Sequence, residues 1–451
     1  MKRRRLLQCA AALPMLPLPG VSDVACAAPK ALASRVRPSD GAWPTFSEWD
    51  ELRQRAGGRL VALRSPLDAC RTAPDSETCR DLFRELKNPY FIGDNPALTQ
   101  TCGWVGAWTA EPSVYAVAAQ STADVVAAVD FARRKNLRLV IRGGGHSYLG
   151  TSSARDSLLI WTRAMNDLVL DEAFVPRGGE GNVAPVPAVT IGAGAIWAQV
   201  YEAVTTRSGR YVQGGGCLTV GVAGLVQGGG FGTHSKAFGT AGSSLLQAEI
   251  MTADGLLRTT NAHRDPELFW ALKGGGGGSF GVVTRLTLRT WALPASFGMV
   301  STTIRATSDD AFRQLIEAFV AFYAENLCNT HWGELVRIMP NNRLEISMNS
   351  QGLDKTQTAD IWRPFLAWVT THDNLAVAPP AIFAGPGRYR WDGSALEKYM
   401  PKAIRRDDRL AAPATNFFWT ANLAEAGHVI YDFESLWLPA ELLRPRARPE
   451  P

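Results

Sequence analysis

From Ser113 the chain takes up a regular rhythm of apolar positions. Val114, Ala116 and Ala118 suggest a strand, and Val125, Val126, Val129 and Ala132 then fall on one helical face. Ser121 and Asp124 stand three apart just ahead of that face, the spacing of a capping box. Arg138–Arg142 reads as the next strand, so the stretch is a β-α-β unit. Ala188–Gly192 opens a second unit, whose helix carries Ile196, Val200, Ala203 and Val204 on one side. Asp254-Gly255 turns a hairpin between 248–253 and 256–260. Asp265 and Pro266 are placed as cap and first residue of a helix that Lys273-Gly274 ends, and a strand over Gly281–Arg289 closes the region.

The pattern on either side is different. Residues 28–107 carry turns, prolines and one short helical pattern over Glu77–Leu86, which reads as an N-terminal arm packed on the next domain. From residue 293 a separate α+β domain is expected. It has a strand over Met299–Arg305, a helix over Asp309–Tyr323, a hairpin turning at Asn341-Asn342 and a helix over Ala359–Thr370. The Arg- and Pro-rich residues after Leu443 read as a disordered tail, 444–451.

Composition changes this picture at two places. The 451 residues, 46% apolar and 20% charged, are ordinary for two to three soluble domains. The N-terminus, however, reads as an export signal over residues 1–27. Lys2, Arg3, Arg4 and Arg5 precede the apolar stretch Leu6–Leu18, and Ala25-Cys26-Ala27 places cleavage after Ala27. The stretch is too short to span a bilayer and is broken by Pro14 and Pro17, so no membrane span is expected in the mature chain. Adjacent arginines ahead of Leu6-Leu7 fit a twin-arginine address, with an ordinary secretory signal as the alternative. Removing the segment lowers the formal charge from +5 to +2, so basicity is no argument for nucleic acid. An exported protein, periplasmic or extracellular, can keep disulfides. Cys70, Cys79 and Cys102 are the candidates, with pairing open. The cysteine and histidine spacings do not suit zinc, and no metal site is expected.

The second change comes from glycine, whose 42 residues cluster in short runs. Arg142-Gly143-Gly144-Gly145-His146-Ser147 follows a strand directly, a context in which the backbone can approach a ligand and aim several N–H groups at a diphosphate. A tight turn with a surface histidine is the plain alternative for that loop alone. Gly214-Gly215-Gly216-Cys217 leads into Val220-Gly221-Val222-Ala223-Gly224. Gly228-Gly229-Gly230-Phe231-Gly232 and the run Gly274–Gly278 follow. A lone cysteine at a glycine turn is more often inert than functional. Four such loops in one region do not read as linkers. Two nucleotide-binding patterns fail: Trp197 stands where a Rossmann turn needs its third glycine, and no Gly-Lys-Ser/Thr ending is present.

At these residues the chain resembles the FAD-linked oxidases of the p-cresol methylhydroxylase/vanillyl-alcohol oxidase fold, in the berberine bridge enzyme-like branch. The resemblance runs from about Pro112 to Thr290 and is carried by RLVIRGGGHSYLGTS, GGGCLTVGVAGL and ELFWALKGGGGGSFGVVT. It implies an α+β chain with a two-subdomain FAD-binding domain over 108–292, followed by a substrate domain with an antiparallel sheet over 293–443. It implies FAD bound covalently, through the flavin 8α-methyl at His146 and through carbon 6 at Cys217. The implied cofactor residues are Arg142, Gly143, Gly144, Gly145, His146, Ser147, Gly214, Cys217, Val220, Gly221, Gly224 and Val283, the last near the adenine end.

The chemistry implied is hydride transfer from a substrate C–H bond to the flavin, assisted by a base that takes a proton. The substrate would be a small molecule: an alcohol, a carbohydrate or a secondary metabolite. A histidine nitrogen and a cysteine thiolate are suited to attack an electron-poor ring, and two tethers leave room for bulky substrates. In the family the chain resembles, a small valine three residues after the linked cysteine accompanies oxygen reactivity, and Val220 stands there. This implies dioxygen as acceptor, giving hydrogen peroxide, with a dehydrogenase using another electron acceptor as the alternative. No catalytic base is assigned. Tyr431, Glu434 and Glu334 are candidates better explained as surface or structural residues, and His234 and Lys236 stand open between a phosphate contact and solvent. Family members continue well past the segment resembling YDFESLWLPAELL, where this chain ends in RPRARPEP. A truncated, non-catalytic flavin-binding protein is therefore a third reading.

Overall fold

The computed structural model describes residues 34–434, 436 and 438–443. The expected export signal at 1–27 and the tail after 443 lie outside the described residues. Contacts separate Met1–Arg35 from Val36–Pro451, and the described sheets all belong to the second unit.

The capped helix forms as its sequence dictates. Ser121 Oγ accepts the Asp124 N–H while the Asp124 carboxylate accepts the Ser121 N–H at 3.0 Å, and the helix runs over Thr122–Arg134. Val125, Ala128, Val129 and Ala132 are buried on its inner face. The strands on either side, Tyr115–Ala118 and Arg138–Arg142, are parallel but not neighbours. Ser157–Trp161 lies between them, and Leu60–Ala62 adds an antiparallel edge beyond Tyr115–Ala118. Leu158 and Ile160, both fully buried, project from the central strand into a core with Trp49, Val125 and Phe131. Each such side chain contributes about 1.5–3 kcal/mol by leaving water.

A second sheet is antiparallel, in the order Leu257–Asn261, Leu245–Met251, Val282–Arg289, Val186–Gly192, Leu168–Phe174. The hairpin expected at Asp254-Gly255 joins its first two strands. Two expectations need correcting. The helix expected after Val186–Gly192 does form, but as an α-helix over Trp197–Tyr201 that continues as a π-helix, Glu202–Arg207. The following strand, Arg210–Tyr211, does not return to the sheet but pairs antiparallel with Trp291–Ala292. Asp265 does precede the helix Pro266–Ala271, but in a left-handed conformation (φ 46°) and without a side-chain cap. Its carboxylate lies instead 3.8 Å from Arg258.

The third sheet is built on Ser296–Ala306, which pairs with Arg343–Gln351 on one side and with Leu375–Val377 and Ala381–Pro386 on the other. Arg343–Gln351 alternates buried and half-buried positions along its whole length, so one face alone is covered. Helices Asp309–Phe322 and Lys355–Thr370 cover it, with Leu315, Phe319, Trp362 and Phe365 packed on Val300, Ile304, Leu344 and Ile346. The α+β class expected from the sequence is the class observed. Asn341 and Asn342 both take positive φ, as the hairpin there requires.

The remaining chain, from Gly387 to Ile430, runs back over the second sheet. Trp391, Leu396, Ile404 and Phe417 enter the same core as Trp197, Val226 and Leu286, and the Trp391 ring stacks on Tyr201 at 4.2 Å. Strands Ile404–Arg406 and Phe417–Trp419 form a hairpin, and His428–Ile430 pairs in parallel with Thr101–Trp104. The disulfide joins Cys70 to Cys79, leaving Cys102 free. Among the described residues no helix is long and apolar enough to cross a membrane.

Candidate active site

Two glycine loops meet backbone to backbone. A Cβ on Gly144 would lie 2.5 Å from the Gly221 nitrogen and 2.7 Å from the Thr219 carbonyl oxygen, and one on Gly221 would lie 2.8 Å from the Gly144 nitrogen. No side chain fits at either position, so the strand end Arg138–Arg142 and the segment ahead of the helix Val222–Gln227 press together only as glycines.

This contact brings His146 to Thr219. His146 Nε2 and Thr219 Oγ1 are 3.1 Å apart. Burial lowers the imidazole pKa to about 4, with His428 adding to the effect, so the ring is neutral at neutral pH. If Nε2 carries the proton toward Thr219, the lone pair resides on Nδ1. Cys217 stands two residues before Thr219, half-buried and free of any disulfide. Its thiol is pushed up first by burial and then by the carboxylate of Glu425, 3.9 Å from Sγ, against a hydrogen bond from Asn422 Nδ2 at 3.4 Å. Asn422 also donates to Glu425 at 3.0 Å.

The other expected residues divide by what they touch. Arg142 is buried, and its guanidinium donates to the carbonyls of Leu98 and of Asn95, 2.6 Å away in the latter case, fixing the arm beneath the loop. Gly143 approaches the Ala193 carbonyl, Gly145 takes a positive φ, and Ser147 Oγ holds Thr151 Oγ1 at 2.8 Å. Gly214 lies flat on the Trp197 ring, where a Cβ would come within 2.5 Å. The Val220 carbonyl accepts the Trp197 N–H at 3.1 Å. Val283 is buried in the core beneath the antiparallel sheet.

Gly224 behaves differently. A Cβ there would meet nothing within 4 Å, and on the facing loop a Cβ at Gly277 would meet only the Gly224 Cα, at 3.8 Å. Gly216 is equally open. These three bare backbone faces, on segments adjoining His146 and Cys217, leave a cradle that side chains would fill. That cradle fits a long, flat cofactor such as FAD: His146 and Cys217 would meet its ring, and Gly216, Gly224 and Gly277 would leave it room.

Several site residues carry no motif. Trp419 Nε1 donates to the Gly216 carbonyl at 2.9 Å, and Asn422 and Glu425 cover Cys217 from a 3-10 turn over Thr420–Ala424. Tyr148, which does stand in the first glycine motif, lies 6.5 Å ring to ring from His428. All but Tyr148 come from a segment two hundred residues from Cys217, and no spacing in the sequence announces them. Of the suggested bases, Glu334 is paired with Lys236 and accepts the Tyr323 hydroxyl at 2.7 Å, while Tyr431 is 81% exposed and Glu434 is exposed. Lys236 is thus part of a structural pair, and His234 is buried rather than solvated.

Residues 113–261 match the family model of an FAD-binding domain. Over 283 residues the chain is 39% identical to the FAD-linked oxidoreductase malF of Malbranchea aurantiaca, a match covering 58% of this chain and 48% of that protein. The chain thus spans about half the length of that relative. The VAO-type flavoprotein oxidase VAO615 of Thermothelomyces thermophilus is 28% identical over 421 residues, 85% of this chain and 71% of its own. Among solved structures, the VAO-type flavoprotein MtVAO615 from Myceliophthora thermophila C1 aligns with a TM-score of 0.70 at 26% identity, over 81% of this chain and 68% of that one.

Proposed function

We propose that the chain is a VAO-type flavoprotein, a reading supported by its FAD-binding domain and its fold, and that it is an exported oxidoreductase whose FAD is held covalently at His146 and Cys217. Its substrate is an alcohol, a carbohydrate or a secondary metabolite. The observation that carries this reading is the Gly144–Gly221 contact, which sets a neutral histidine and a free thiol on adjoining loops beside an open glycine cradle.

When bound, FAD would supply a hydride acceptor for a substrate C–H bond, with dioxygen as the final electron acceptor and hydrogen peroxide as its product. The protein's own residues do the rest. Thr219 orients the imidazole, so that one ring nitrogen keeps its lone pair for the tether. Trp419 pins the Gly216 carbonyl and so fixes the loop that carries Cys217. Glu425 takes the substrate proton, since it is the carboxylate in contact with Cys217 among the described residues. Val220 keeps the position beside the tether small, which leaves access for dioxygen. Export is supported by Lys2–Arg5 and the apolar stretch that comes after them.

Mass spectrometry of the acid-denatured protein tests the core of the proposal. Flavin mass retained on peptides containing His146 and Cys217 is the expected result; quantitative release of free FAD overturns it. Peroxide formed with a panel of sugars and alcohols is expected of the oxidase. Dye reduction without peroxide would assign a different acceptor.

A further inference from the structure

Beside Gly214 and Gly215 a small cavity lies between their loop and the third sheet, lined by Tyr201, Tyr211, His234, Phe297 and Arg390. His234 is 3% exposed, and neither ring nitrogen has a hydrogen-bond partner. Such orphaned polar atoms are rare in folded proteins and call for an occupant. Burial, with Arg390 beside it, lowers its pKa to about 3, so an unoccupied pocket holds it neutral, with one N–H to offer.

Arg390 is the second oddity. Its guanidinium stands over the rings of Trp391 at 5.1 Å and Phe297 at 5.7 Å. Among the described residues its hydrogen-bond partner is the amide oxygen of Asn349, at 3.1 Å, and no carboxylate lies within ion-pairing distance. A largely buried cation without a counter-charge is unfavourable unless something supplies one. The hydroxyls nearby are already committed: Tyr201 donates to the Gly215 carbonyl at 2.6 Å and Tyr211 to Gln213 at 2.6 Å. The pocket therefore presents positive charge and an unused N–H, with no negative group.

We propose that this pocket binds one small monovalent anion of halide size, held between His234 and Arg390. The space open to the centre of a water-sized sphere is about 10 Å³, enough for a single water or monatomic ion and too little for a sugar or a polyatomic oxyanion. Charge decides between those two occupants. A water would satisfy His234 and leave Arg390 uncompensated, whereas an anion accepts from both donors and neutralises the guanidinium. Gly214 and Gly215 line the site, whereas the bare backbone faces of the cradle are Gly216, Gly224 and Gly277, and its volume admits neither a sugar nor a flavin. By bridging the loop of Gly214 and Gly215 to the third sheet, the anion stiffens the seam between them.

The test uses the full-length, flavin-loaded protein. Crystals grown in sodium bromide are expected to give an anomalous peak in contact with both His234 and Arg390. In parallel, protein moved into sodium sulfate and titrated with bromide at constant ionic strength is expected to gain thermal stability saturably, by about 2 °C. Arg390→Met should abolish that gain. A pocket peak without anomalous signal identifies water and overturns the proposal, as does an equal gain in the variant. Should Arg390→Met fail to fold, the bromide diffraction on the unaltered protein decides alone.

Discussion

The two halves of the candidate site are assembled by opposite means. The glycine loops at 143–147 and 214–224 join through backbone, Gly144 against Gly221, with His146 and Thr219 following from that contact. The cover at 416–430 joins through side chains: Trp419 to the Gly216 carbonyl, Asn422 and Glu425 to Cys217. Close backbone packing admits one residue type, and so leaves a motif. Side-chain contacts can be met in many ways, and need leave none.

The cover is also held from elsewhere. Asn88 Nδ2 donates to the buried Asp407 at 2.8 Å, Arg409 pairs with the same carboxylate at 2.8 Å, and the Tyr90 hydroxyl donates to the Phe417 carbonyl at 2.9 Å. The N-terminal arm thus fixes the segment that covers Cys217, while Arg142 fixes the same arm under the first loop. Arm, loop and cover form one frame around the cradle.

This contrast can be broken from either side. The largest effect is expected from the cover: Glu425→Gln removes the proposed proton acceptor and should lower kcat by about 10²–10⁴-fold while flavin mass on both tethering peptides stays unchanged. An unaltered kcat would remove Glu425 from the mechanism. Next comes the loop contact. Gly144→Ala forces a methyl against backbone at 2.5 Å, and should destabilise by about 3 kcal/mol with loss of bound flavin, read as melting temperature and as the ratio of flavin to protein absorbance. A variant that melts and binds flavin normally would show that the two loops can part without cost.

Asp407→Asn ranks third at about 2–3 kcal/mol, below the 3–5 expected of a fully buried pair because Arg409 partly meets solvent. Burial alone would push the Asp407 carboxyl up, but the hydrogen bonds from Arg409, Asn88 and Asn416 outweigh it and hold it below the usual carboxylate value. The unfolded chain thus binds this proton more readily. The contribution is fully present above the unfolded value of about 3.9 and is lost as pH falls through the lower folded one. Acid unfolding of the unaltered protein should therefore steepen below about pH 4, and the variant should lack that component.

Legibility in the sequence divides along the same line. The cap at Ser121–Asp124, the strand Arg138–Arg142 and the hairpin at Asn341-Asn342 were legible because each is decided by neighbours in sequence. The glycine loops were legible because backbone contact and a bare cradle both demand glycine. The strand Ser157–Trp161 between the halves of the first β-α-β unit was not, since sheet order is a long-range matter. Nor was Arg142 as a pin for the arm, its partners being carbonyls some 45 residues away that any residue type supplies. Asn422 and Glu425 belong to the same class: their role exists only once residues 416–430 lie over Cys217.

The finest test separates the two reasons for glycine within one motif. Gly144 and Gly224 are both glycines of the loop motifs, yet a Cβ on the first would strike backbone and a Cβ on the second would strike nothing within 4 Å. If the second is kept bare for a ligand, Gly224→Ala should fold as well as the unaltered chain. Replacing a glycine inside the helix Val222–Gln227 should even stabilise the flavin-free protein slightly, by up to about 1 kcal/mol. Flavin incorporation should nonetheless fall severalfold, because the new methyl group enters the cradle between Gly224 and Gly277. Full flavin loading in a stable Gly224→Ala protein would mean that the cofactor runs elsewhere, and that Gly224 is glycine for no reason visible in the cleft. Poor folding would mean instead that the loops need flexibility rather than room. Melting temperature measured beside flavin content distinguishes all three outcomes in a single residue.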